Sequence, residues 1–141
     1  MELSGPDITV DELNEIGVGA FPGHIGMRVV AVGAGRVEAE MDVAPHHLAP
    51  NGYLHAGSVV TLADTACGYG VRTVLPDGAT GFTTIELKSN FLGTALDGTI
   101  RCEARLVHGG RTTQVWDATV TAGERTIALF RCTQLLLRPK A

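Results

Sequence analysis

The sequence of 141 residues has few aromatic side chains: one Trp, two Tyr and four Phe. A core with so few rings must be closed mainly by aliphatic and small residues. Cysteine is also scarce. Cys67, Cys102 and Cys132 are an odd number with no CxxC spacing, which points away from a disulfide framework and from a zinc site. All three lie in apolar or alternating runs and read as buried free thiols. No apolar run approaches the ~20 residues of a membrane span. Residues 1–10 show no basic stretch followed by an apolar one, so no signal peptide is read and a soluble cytoplasmic protein is expected. Charge is sparse too, at 18% of residues with a net of −4. An acidic chain lacks the cationic field that nucleic acid requires. A polyanionic ligand must then be met by a local cluster of Arg.

What is present fits one domain of ordinary composition, 45% hydrophobic, with room for one sizeable core. Residues 7–19 predict a short acidic helix with Ile8, Leu13 and Ile16 as its apolar stripe. Phe21-Pro22-Gly23-His24 reads as a loop. Two strands are predicted over 27–32 and 36–43, joined at Gly33-Ala34-Gly35; in the second, Val37, Ala39, Met41 and Val43 alternate with acidic residues. Residues 44–54, with two prolines, two histidines and Asn51-Gly52, read as a loop. From Ala56 to about Val74 the chain is apolar almost all round, interrupted only by Asp64 and Arg72, which predicts a buried helix. Gly57, Gly68 and Gly70 each cost such a helix roughly 1 kcal/mol and suggest close packing, for instance against another helix.

The rest alternates like strands. Over 80–91, Phe82, Thr84 and Glu86 are set against Thr83, Ile85 and Leu87. Over 99–107, Ile100, Cys102, Ala104 and Leu106 oppose Arg101, Glu103 and Arg105. His108-Gly109-Gly110-Arg111 predicts a hairpin turn. Over 112–121, Gln114, Trp116, Ala118 and Val120 form one face. A last strand covers 126–137. The pattern β-β-α-β-β-β-β predicts an α+β fold, an antiparallel sheet wrapped around one long helix. Its open sheet edge predicts self-association.

Residues 50–70, PNGYLHAGSVVTLADTACGYG, resemble the PaaI-like branch of the hotdog-fold thioesterase superfamily. That branch carries a pattern close to N-G-x-x-H-G-G-x-x-x-x-L-x-D/E-x-A, met here by His55, Gly57, Leu62, Asp64 and Ala66. IELKSNFL at 85–92 is similar to the family's central strand, and VHGGRT at 107–112 to its basic hairpin. Two positions depart: Ala56 replaces the first glycine after the histidine, and Ala49 stands where the family has a loop amide, the nearest being Asn51. The resemblance implies a single hotdog domain, with residues 1–24 as N-terminal helix and loop and 25–137 as core. It also implies acyl-CoA thioester hydrolysis, a homodimer as active unit, often a tetramer, and no metal or cofactor.

Thioester hydrolysis needs a donor for the developing oxyanion and a group that activates water or attacks carbon. At the start of the long helix the backbone N–H groups have no internal partners and carry the positive end of the dipole. Ala56 or Gly57 N–H is the candidate oxyanion donor, and His55 a candidate for orienting the carbonyl or the loop. Asp64, too deep for a cap, is costly unless paired or functional; the resemblance makes it the general base or nucleophile. The plain alternative is a bond to Thr61 or Thr65. Ser58 follows too closely to form a nucleophile elbow. His46-His47 reads as a pair of solvated loop residues. For the CoA phosphates the candidate is Arg111, with Gly110 and His108 in the same turn; Lys88 and Arg105 are further candidates. Thr65, Gly68, Tyr69, Thr83, Thr84 and Ile85 are candidates for the acyl pocket. A non-catalytic acyl-CoA sensor and a hotdog hydratase or dehydratase are the competing readings.

Overall fold

The computed structural model describes residues 4–140; residues 1–3 and 141 of the expected domain lie outside it. The N-terminal helix α1 spans Val10–Gly17. Thr9 caps it, its Oγ1 accepting from Glu12 N–H while Glu12 Oε1 accepts from Thr9 N–H, the reciprocal pair of a capping box. Leu13 and Ile8 bury against the sheet. Asn14 completes the fit: its amide donates to Val29 O and its Oδ1 accepts from Val29 N–H.

Phe21–His24 is not a loop but a short helix, α2. Pro22 sits in its first turn, where no N–H is needed, and His24 N–H closes the turn on Ala20 O. Strands β1 (Met27–Gly33) and β2 (Arg36–Asp42) follow. Their two-residue turn is possible because Gly35 takes φ +75°. A 3-10 turn at Pro45–His47 interrupts the next loop. Then come α3 (Ala56–Thr73), β3 (Gly81–Phe91), β4 (Thr99–Gly109), β5 (Thr113–Ala122) and β6 (Arg125–Leu137). β4 continues through His108 and Gly109, so the hairpin turn lies two residues later than expected.

All pairings are antiparallel, in the order β1-β2-β4-β5-β6-β3, with β1 and β3 at the edges. This is the α+β architecture expected, one sheet folded around α3. The alternation on β2, β4 and β5 holds: Val37, Ala39, Met41, Cys102, Ala104, Trp116 and Val120 are buried, and their neighbours carry Arg28–Glu40–Arg101 and Arg131–Asp117 ion pairs on the outer face. β3 does not alternate as expected. A bulge between Thr84 and Glu86 shifts its register against β6. Phe82 and Thr84 therefore share the helix-facing side with Leu87, Ser89 and Phe91, while Glu86, Lys88 and Asn90 turn outward.

Gly68 and Gly70 of α3 face rings from the sheet. A Cβ at Gly70 would lie 2.4 Å from the Trp116 ring, and one at Gly68 would meet Phe82 at 3.4 Å. Trp116 is fully buried, and its Nε1–H donates to Gln114 Oε1, whose own amide donates to Val74 O past the end of α3. The three thiols are free and buried; burial, aided by the nearby Glu103 charge, pushes Cys102 up to about 12, and a hydrogen bond with Cys132 raises Cys67. Among the described residues no helix is long and apolar enough to cross a membrane.

Candidate active site

The chain enters α3 through a tightly bonded loop. Its centre is His47, which was expected in solvent but is only 2% exposed. His47 Nδ1 accepts from Ala44 N–H (2.9 Å), so Nε2 carries the proton and donates to Ile25 O at 2.7 Å. The His47 carbonyl accepts twice more, from His55 N–H (2.9 Å) and from Ser58 Oγ (2.8 Å). One residue thus ties the segment after α2 to the first turn of α3. Nothing in the His46-His47 doublet distinguishes the two in sequence; His46 is exposed and lies against the His47 ring. His47 and Ser58 have roles that sequence reasoning missed.

His55 is the N-cap of α3, and its Nδ1 accepts from Gly57 N–H at 2.8 Å. That occupies one of the two candidate oxyanion donors. Ser58 N–H and Val59 N–H both turn back to His55 O. Ala56 N–H makes no hydrogen bond among the described residues, and Ala56 is exposed. Alanine serves here because the donor is backbone. Asn51 is exposed too, but its Oδ1 folds back to accept from Tyr53 N–H within its own loop.

Asp64 lies two turns further along, on a half-buried stripe of α3 with Thr61, Thr65, Gly68 and Tyr69. Its Oδ1 is buried without a partner among the described residues. Burial raises its pKa above the ordinary carboxylate value. The plain alternative for Asp64 fails at Thr61, whose hydroxyl donates to Gly57 O. A second buried oxygen without a partner is Ser89 Oγ, on the helix-facing side of β3. It escaped notice because the bulge at Ile85 reverses the alternation beyond it.

The candidate phosphate residues lie elsewhere. The β4–β5 turn is at the C-terminal end of α3, where Gln114 reaches Val74 O. The 18 residues of α3 put this end roughly 27 Å from His55. Arg111 is exposed, and its guanidinium makes no hydrogen bond or ion pair among the described residues. The backbone of the turn is less available than expected, since Gly110 N–H donates to Thr113 O. His108 is exposed beside it. Lys88 stands on the outer face with its cross-strand neighbour Arg131, and Arg105 is paired with Glu103. Thr84 donates to Gln134 Oε1 on the inner face. The chain therefore places His55, Ala56 and Gly57 at one end of α3, Asp64 midway, and Arg111 at the other end. Among the described residues no cluster of three or more His, Cys, Asp or Glu is placed to hold a metal.

Residues 51–129, which contain this helix, strands β3 to β5 and the start of β6, match the thioesterase superfamily model. The chain belongs to the thioesterase superfamily. Thioester hydrolysis is the chemistry of that family, and the hotdog fold and PaaI-like branch are those expected from residues 50–70. A putative esterase, ComA2, of Bacillus subtilis is 33% identical over 81% of this chain and 91% of its own. A 1,4-dihydroxy-2-naphthoyl-CoA hydrolase of Listeria monocytogenes is 32% identical over 77% and 89%. Among solved structures, a thioesterase of Haemophilus influenzae superposes with TM-score 0.88 at 26% identity, over 97% of this chain and 96% of that one.

Proposed function

We propose that the chain is a cytoplasmic acyl-CoA thioesterase, releasing CoA and a carboxylic acid, with Asp64 as general base or nucleophile. The observation that carries this reading is the buried, unpartnered Asp64 Oδ1 midway along α3. A carboxylate kept dry and unpaired costs stability, and its raised pKa brings it nearer the neutral range where a base works best. The carbonyl oxygen is held by Ala56 N–H, the free donor at the positive end of α3. His55 fixes that end by capping Gly57 N–H. In the water route, Asp64 takes a proton as water oxygen bonds to the carbonyl carbon. The tetrahedral intermediate then collapses, the C–S bond breaks, and the sulfur takes the proton from Asp64. In the direct route the carboxylate itself bonds to carbon, the CoA thiolate leaves, and water hydrolyses the resulting anhydride. Isotope-labelled water in a single turnover separates the two.

The active unit in this reading is a homodimer, built further into a tetramer. β3 supports it: eleven residues at a sheet edge, with Ile85, Leu87 and Phe91 all more than 40% exposed. Such an edge is a template for another strand. The span of α3 supports it too, since a CoA ester that meets both Ala56 and Arg111 at close range takes them from different subunits. Arg111 binds phosphate, with His108 and Gly110 shaping its turn and Lys88 as a second cation. Thr65, Gly68 and Thr84 line the thioester's approach, and Asn51 orders the entry loop.

The test is thiol release from a panel of acyl-CoAs. Asp64→Ala and Asp64→Asn should each lose about 100-fold or more in kcat. Full activity in Asp64→Ala would reject the role given to Asp64. Tight CoA binding with no turnover by the parent chain would favour a sensor.

A further inference from the structure

Two of the three core thiols are arranged for chemistry that the hydrolytic site does not use. Cys67 on α3 and Cys132 on β6 lie in hydrogen-bond contact, and both are fully buried. The Cys67 S–H donates to the Cys132 sulfur. A second donor, the Gln134 Nε2–H, reaches the same sulfur at 3.2 Å. Gln134 is itself fully buried and fixed, its Oε1 accepting from Thr84 Oγ1 at 2.9 Å. Two donors aimed at one sulfur favour its thiolate. They hold the Cys132 thiol below its ordinary value, against burial and the negative charges of Asp64 and Asp117. Cys102 receives no such donor among the described residues, and its thiol is pushed up to about 12.

We infer that Cys67 and Cys132 form a peroxide-oxidisable pair, with Cys132 as the attacking thiolate and Cys67 as the resolving thiol. The thiolate attacks one peroxide oxygen. An S–O bond forms, the O–O bond breaks and hydroxide leaves, so Cys132 is oxidised to the sulfenic acid and peroxide is reduced. The Cys67 sulfur then bonds to the Cys132 sulfur, the S–O bond breaks, and the sulfenic hydroxyl leaves as water with the Cys67 proton. In sum, two thiols and one peroxide give one disulfide and two waters. Enclosure selects the oxidant, because only a molecule scarcely larger than water can reach sulfurs with no exposed surface. The new bond ties α3 to β6. Cys67 is three residues past Asp64 on α3, so drawing the sulfurs from hydrogen-bond contact to covalent contact pulls on the turn that carries Asp64. The dithiol chemistry stands apart from the thioesterase reading; its effect on turnover rests on that reading.

The experiment exposes the folded full-length chain to hydrogen peroxide, then unfolds it in iodoacetamide and maps the thiols by mass. Wild type should lose two thiols, carry a Cys67–Cys132 disulfide and alkylate only at Cys102. Trp116, the single tryptophan and the cross-strand neighbour of Cys132, should dim in fluorescence as the disulfide forms. Cys132→Ala should slow thiol loss about tenfold or more. Cys67→Ala should stop at a sulfenic acid on Cys132, which dimedone present during unfolding traps. Cys102→Ala should form the disulfide as wild type does. In the oxidised chain kcat for acyl-CoA hydrolysis should fall about tenfold. Three intact thiols in wild type after peroxide, or a disulfide through Cys102 or between two chains, would overturn the pair with no recourse to a variant. A disulfide formed at unchanged kcat would overturn its hold on Asp64. Absence of turnover before oxidation would count against the thioesterase reading, while the mass map still decides the pair.

Discussion

The two faces of α3 obey different rules. On the sheet side Leu62, Ala63, Ala66, Cys67, Gly70 and Val71 are fully buried, and space is set to the ångström by Trp116. On the other side Thr61, Asp64, Thr65, Gly68 and Tyr69 are half-buried, and a carboxylate oxygen lies unsatisfied. The first face is closed by packing. The second keeps a polar group and small side chains at a half-covered surface, where packing leaves room for chemistry.

The loss of about 100-fold or more in turnover expected on changing Asp64 is equivalent to ~2.7 kcal/mol of barrier, and it should come with an intact fold. The sharpest contrast to it is Gly70→Ala. The added methyl would overlap the rigid, enclosed Trp116 ring, and overpacking of this kind costs about 3 kcal/mol. Thermal melting should fall by ~10 °C, while kcat per folded molecule at low temperature stays within a few-fold of the parent. A Gly70→Ala chain that melts like wild type would show that α3 can slide away from the sheet, and the two-face contrast would dissolve.

His47→Ala joins the faces in one experiment, because His47 supports the site without lying on either. Truncation strands Ile25 O and Ala44 N–H and should cost about 2 kcal/mol. If His47 positions the first turn of α3, kcat should also fall about tenfold with little change in KM, since small displacements of a catalytic group are expensive. His47→Gln, whose amide can still donate toward Ile25 O, should recover part of kcat. Equal loss of stability with unchanged kcat would reduce His47 to a structural residue.

Those residues also mark how much was legible beforehand. Alternation on β2, β4 and β5 was readable because each strand has one wet face bearing charge, and the helix because it is apolar over eighteen residues. The motif from His55 to Ala66 carried the family. What was hidden depended on three-dimensional neighbours. The glycines of α3 announced a close approach but not by what, since Trp116 lies 46 positions from Gly70. The bulge in β3 has no glycine to mark it, so Leu87 and Ser89 were set on the wrong side or overlooked. α2 hides behind Pro22-Gly23, a dipeptide that reads as a break although Pro at a helix start is favourable. Of two adjacent histidines, one is buried and one is not, and only the position of Ile25 O decides which.

The smallest expected effect is the most specific to the working face. Because burial raises the pKa of Asp64 in the folded chain, the native state holds its proton to higher pH than the unfolded state does. Between those two values folding takes up a proton, so stability falls as pH rises. Ionised Asp64 is therefore a burden at neutral pH, and Asp64→Asn should raise the melting temperature there by roughly 2–4 °C, about 1 kcal/mol. The gain should shrink as pH falls through the raised pKa and vanish near the ordinary carboxylate range. The paired acids of the outer face run the other way: hydrogen bonds from Arg101 and Arg28 hold Glu40 low, and one from Arg28 holds Asp42 low, so their contribution is lost on acidification. A melting difference between Asp64→Asn and wild type that is flat with pH would mean that Asp64 is already paired, by a second subunit, in the assembled protein. In that case dilution to monomer should restore the slope.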